Sequence, residues 1–145
     1  MYKDILLAID INNPKTQAKA VETAVRFAKM ESATLHVITV VPSFGMSIVG
    51  SYFPEGFETK AIESTREHMH DYTQAHIPAE IPLQHIVAHG TIYEEILKAA
   101  RQQSVDLIVM ASHRPELSDY LLGPNAARVV RHADCSVMVV RGEEE

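Results

Sequence analysis

The chain has 145 residues, 46% of them hydrophobic and 22% charged, which fits one soluble globular domain able to bury about two-thirds of its unfolded surface. A formal net charge of −6 argues against a general nucleic-acid or anionic-membrane binder, and the single cysteine, Cys135, excludes an intrachain disulfide and a cysteine-based zinc site. No apolar stretch reaches the ~18 residues of a bilayer span, and Met1 to Asp4 lacks the layout of a signal peptide, so the cytoplasm is the expected compartment.

The run Ile5-Leu6-Leu7-Ala8-Ile9 predicts a strand buried on both faces, ended by Asp10. Asn12-Asn13-Pro14 turns the chain, and Ala18, Val21, Ala24, Val25 and Ala28 recur at helical spacing to about Met30. Thr34 to Val41 predicts a second strand, stopped by Pro42. Ser43 to Pro54 predicts a long loop with Gly45 and Gly50, and Glu55 to His76 a polar helix.

Leu83 to Ala88 predicts the third strand. Gly90 ends it, and Thr91-Ile92-Tyr93-Glu94 has the form of a capping box opening a helix to about Gln103. Val105 to Met110 predicts the fourth strand, followed by a polar loop. A short helix from Pro124 to His132 comes next, with proline at a favourable first position. Ser136 to Val140 predicts the last strand, and the acidic residues 142–145 a frayed tail. This alternation requires a parallel sheet with helices on both faces and right-handed crossovers.

In such a sheet a ligand sits beyond the carboxyl ends of the strands, where strand order reverses. The segment after Met110 stands out, because a strand, a polar loop and a helix N-terminus together favour an anion. Ser112, His113 and Arg114 offer a hydroxyl, an imidazole and a guanidinium there. Arg114 equally admits a surface pairing with Glu116 or Asp119. Asp10 admits two readings, an acceptor for sugar hydroxyls or a turn cap. Pro124 lacks the N–H that a phosphate would use.

The eight histidines do not form a metal set: His68 and His70 point to different sides of their helix, and His85 and His89 are roughly 13 Å apart along their strand. No Ser-His-Asp order, paired carboxylates or metal triad can be placed, so no catalytic or metal residue is assigned. The strand from Ser136 is short, apolar on both faces and free of internal Lys or Pro. At a sheet edge it would invite a second copy.

The segments Met1 to Asp10, Asp106 to His113, Leu121 to Ala127 and Cys135 to Arg141 together resemble the universal stress protein family over essentially the whole chain. The form Ala111-Ser112-His113-Arg114-Pro115 resembles its enterobacterial F and G subgroup. The resemblance implies a Rossmann-like α/β domain over residues 1–141, with one open five-stranded parallel sheet in order 3-2-1-4-5. It also implies a cytoplasmic homodimer through Ser136 to Arg141, with tetramers left open.

Many family members bind ATP or AMP. Carried over by position, Ala8 and Asp10 meet the nucleotide, Asp10 at the ribose, while Val40 meets the adenine. Met110 and Ala111 line the ligand, and Ser112, His113, Arg114, Gly123, Pro124 and Asn125 surround the phosphates, with or without Mg²⁺. The ATP-binding members follow Gly-x2-Gly-x9-Gly-Ser/Thr. Here Ala111 and Arg114 hold the first two glycine positions, eight residues separate Arg114 from Gly123, and Pro124 replaces the hydroxyl residue.

The resulting expectation is a stress-response regulator that binds an adenine nucleotide and hydrolyses it very slowly at most. The competing expectation is a dimeric interaction module that has lost nucleotide binding. A flavodoxin-like protein would need a phosphate loop after the first strand. A phosphorelay receiver would need an aspartate where Ala88-His89-Gly90 ends the third.

Overall fold

A computed structural model of the protein describes residues 1–42, 57–112 and 124–141. The expected loop from Ser43, the start of the second helix at Glu55, and the acidic tail lie outside the described residues. Five strands, β1 (Asp4–Ala8), β2 (Thr34–Pro42), β3 (Leu83–Gly90), β4 (Leu107–Ser112) and β5 (Ser136–Arg141), form one sheet. All pairings are parallel, in the order β3-β2-β1-β4-β5. The described helices are α1 (Ala18–Glu31), α2 (Phe57–His76), α3 (Ile92–Gln102) and α4 (Pro124–His132), and a 3-10 turn over Pro14–Gln17 precedes α1.

Strand β1 explains why the early run is apolar at every position. Ile5 and Leu7 join a core with Val21, Ala24 and Ala28 of α1 and Met69 of α2. Leu6, between them, packs into the opposite core with Ile96, Leu97 and Ala100 of α3 and Val129 of α4. Leu6 and Leu7 are both fully buried, and each such side chain contributes about 1.5–3 kcal/mol. The small residues of α1, Ala20, Ala24 and Ala28, let that helix lie close on the sheet.

Helices α1 and α2 thus cover one face and α3 and α4 the other. This change of face is what right-handed crossovers require when the chain, having added β2 and β3 on one side of β1, turns back after β3 to add β4 and β5 on the other. The reversal lies between β1 and β4, where Ala8 stands in register with Met110.

Several boundaries differ from the sequence expectation. Strand β4 starts at Leu107 and runs through Ser112, whose register partner is Arg141 of β5. Val105 stays buried but outside the strand, after Ser104 takes a left-handed backbone with φ 52°. Strand β3 runs on to Gly90 because His89 and Gly90 still pair with Val41 and Pro42. The expected capping box is absent. Thr91 is the N-cap of α3 in extended conformation, and its side chain makes no capping hydrogen bond. Glu94 and Glu95 in the first turn still complement the helix dipole.

Polar side chains join the strands at the amino end of the sheet. Asp106 accepts hydrogen bonds from the backbone N–H groups of Lys3 at 3.0 Å and Asp4 at 3.2 Å. The imidazole of buried His36 lies between Asp4, with Nε2 2.9 Å from Oδ1, and the Gln84 side-chain amide.

Candidate functional site

The described residues enclose a cleft of about 530 Å³ at the carboxyl end of the sheet, over the reversal between β1 and β4. Its floor is strand-end backbone and apolar side chains. Ala8 and Met110 are register partners, and Ala111 follows. Val40 at the end of β2 and Ile92 and Ile96 of α3 add an apolar wall. Isoleucines four apart on one face of α3 account for that wall.

The opposite wall is polar, and Asp10 organises it. After β1, the Ile9 N–H still donates to the Ile38 carbonyl at 2.9 Å, and the chain then turns. Asp10 Oδ1 accepts from the Asn12 N–H at 3.1 Å, and Oδ2 accepts from Asn13 Nδ2 at 2.8 Å. The Asn13 N–H closes the turn onto the Asp10 carbonyl at 3.0 Å. A carboxylate at this position is therefore a turn cap. It is also exposed and borders the cleft, and two carboxylate oxygens offer about four acceptor directions, so lone pairs remain for a ligand hydroxyl. The two readings of Asp10 are compatible.

The 3-10 turn continues this wall. Thr16 Oγ1 donates to the Asn13 carbonyl at 2.8 Å, and Gln17 Nε2 donates to Thr16 Oγ1 at 2.6 Å. Gln17 and Thr39 are buried polar residues on the lining. Helix α4 opens onto the rim with exposed Pro124, half-buried Asn125 and buried Ala126.

Of the residues nominated from the sequence, Ala8, Asp10, Val40, Met110, Ala111, Pro124 and Asn125 all border this one cleft. Ser112 ends β4 as a buried residue and is not among the residues lining the cleft. His113, Arg114 and Gly123 lie outside the described residues. Sequence reasoning missed Gln17, Thr39 and Thr65, which also line the cleft. Thr65 sits on a helix whose polar sequence carries no sign of a ligand. Ile92 and Ile96 of α3 were likewise not among the residues nominated from the sequence.

Among the described lining residues Asp10 is the only ionisable side chain; the other polar groups are amides and hydroxyls. An apolar slot beside neutral hydrogen-bonding groups and one carboxylate suits a flat ring joined to a polyhydroxyl group. No described group of three or more His, Cys, Asp or Glu is placed to hold a metal ion, and no described helix is long and apolar enough to cross a membrane.

Comparison with known proteins converges on one group. Universal stress protein G of Escherichia coli O157:H7 is 30% identical over 147 residues, covering 97% of this chain and 100% of that protein. The solved structure of MJ0577 from Methanocaldococcus jannaschii superposes with a TM-score of 0.81 at 23% identity, covering 100% of this chain and 99% of that one. A universal stress protein solved in complex with cAMP superposes with a TM-score of 0.71 at 17% identity, covering 98% and 99% of the two chains. The model of the universal stress protein family matches residues 1–141, and the chain belongs to that family.

Proposed function

We propose that the protein binds an adenine nucleotide, ATP or AMP, in the cleft between the ends of β1 and β4, and acts as a cytoplasmic regulator of the stress response rather than as an enzyme. The observation that carries this reading is the placement of Asp10 against an apolar slot at the point where strand order reverses. The similar fold that holds cAMP in a related protein adds support. Adenine stacks in the slot beside Val40, the ribose hydroxyls donate to Asp10, and the phosphates lie toward the start of α4, with Arg114 of the preceding segment as a further donor. Mg²⁺ accompanies the phosphates only if they bring it, since the described lining offers a single carboxylate. Ligand binding biases contacts with partners by shifting populations.

The apolar edge strand β5, from Ser136 to Arg141, is the surface for a homodimer, and tetramers would arise by pairing of dimers. A second reading is favoured by one observation. Pro124 stands at the first position of α4 with neither hydroxyl nor N–H, which fits a dimeric interaction module that no longer binds nucleotide.

Titration calorimetry of the purified protein separates the two. Micromolar binding of ATP or AMP, lowered by Arg114→Ala, is expected. Absence of heat with either at millimolar concentration would reject nucleotide binding and leave the interaction module.

A further inference from the structure

We infer that the cleft is tuned to an adenine nucleoside carrying one phosphate or none, and that Pro124 is the residue setting this preference. The inference rests on the nucleotide reading of the same cleft and narrows its ligand class.

Three observations carry it. Helix α4 opens on the cleft rim, the place where free N–H groups of a first turn would receive a phosphate chain. Its first residue is Pro124, so one of these donors is missing and the ring occupies its place. The remaining first-turn residues at the cleft are Asn125 and Ala126, which fits one small anionic group better than a chain of three.

The electrostatics point the same way. Among the described lining residues there is no lysine or arginine, and the one ionised side chain is the Asp10 carboxylate. Each further phosphate brings negative charge beside that carboxylate, with no cation among the described lining residues to offset it. The rest of the lining is rich in groups that suit a neutral sugar and base: Asn12, Asn13, Thr16, Gln17 and Thr39 beside Val40 and Met110. A nucleoside can be met by groups of this set and demands nothing from the start of α4.

The test is calorimetric titration of the whole protein with adenosine, AMP and ATP, repeated on Pro124→Ala and Pro124→Ser. The wild-type protein is expected to bind ATP no more tightly than AMP, within about threefold. Pro124→Ala returns the N–H and Pro124→Ser adds the hydroxyl. Affinity for ATP should therefore rise stepwise, to about tenfold in the serine variant, while adenosine affinity stays unchanged. Wild-type protein that binds ATP about tenfold or more tightly than AMP would overturn the inference and leave the nucleotide reading standing. So would a serine variant that folds, binds adenosine normally and gains nothing for ATP. Wild-type protein that binds none of the three overturns the nucleotide reading itself, and this inference with it.

Discussion

The side chains of Asp10 and Asn13 are joined by a hydrogen bond of 2.8 Å, so the residue that presents a carboxylate to the cleft also folds the turn beside it. The two duties can be separated by substitution. Asp10→Ala removes the acceptor for both the Asn12 N–H and Asn13 Nδ2, and because the site is exposed the cost should be about 1 kcal/mol. Asp10→Asn keeps one carbonyl acceptor and should lose less. Nucleotide affinity should fall at least about tenfold in the alanine variant. Denaturant melts with calorimetry read both effects, and unchanged affinity in folded Asp10→Ala would remove this residue from the site.

A pH dependence follows from the packing of α2 on β3. Thr73 Oγ1 lies 3.1 Å from the His70 carbonyl, to which it donates, and 2.7 Å from His85 Nε2. Burial pushes the His85 pKa below its ordinary 6.5, and His70, with its ring 5.4 Å away, and Arg66 push the same way. The folded state therefore binds a proton here less readily than the unfolded chain. The stability this contributes is fully present above 6.5 and is lost as pH falls through the lowered folded value. His85→Gln, which keeps a hydrogen-bonding group toward Thr73, should show a shallower loss of stability than wild type between about pH 6.5 and pH 5. Parallel slopes for the two proteins in that window would show that His85 does not contribute.

Gly90 offers a test of backbone strain at the junction of β3 and α3. Its φ of +143° is one that side chains disfavour, and an added Cβ would stand 3.0 Å from Glu95 Oε2. Gly90→Ala should cost about 1–2 kcal/mol, seen as a lower urea midpoint. Adding Glu95→Ala relieves only the contact at the end of a flexible side chain, so most of the cost should persist. Full recovery in the double variant would mean that crowding, not φ, requires the glycine.

Much of the fold was legible because burial on both faces of a parallel sheet leaves strands apolar at every position, as in Ile5 to Ile9. Where a residue's role depended on a distant partner, the sequence was silent. Ser112 looked like a loop donor, yet it is the last residue of β4, in register with Arg141. Ala88 looked like the last residue of its strand, yet pairing with β2 carries β3 on through His89 to Gly90. Thr91 had a capping spacing without the capping bond, because spacing does not fix where a side chain points. The candidate site was legible as a set of strand ends, since their positions follow from topology. Thr65 and Gln17 were not, because only packing of α2 and of the 3-10 turn brings them there.

The bonds from Asp106 to the backbone of Lys3 and Asp4 join residues 103 and 102 positions apart. The cleft exists only where β1 and β4 meet, so it must appear late in the life of a nascent chain. Until Leu107 to Ser112 has left the ribosome, β1 has one open flank and Ala8 has no Met110 beside it. Closing so long a loop is entropically costly and tends to be slow. The binding surface is therefore a product of the completed sheet, and a chain truncated before β4 would lack the strand that closes the cleft beside β1.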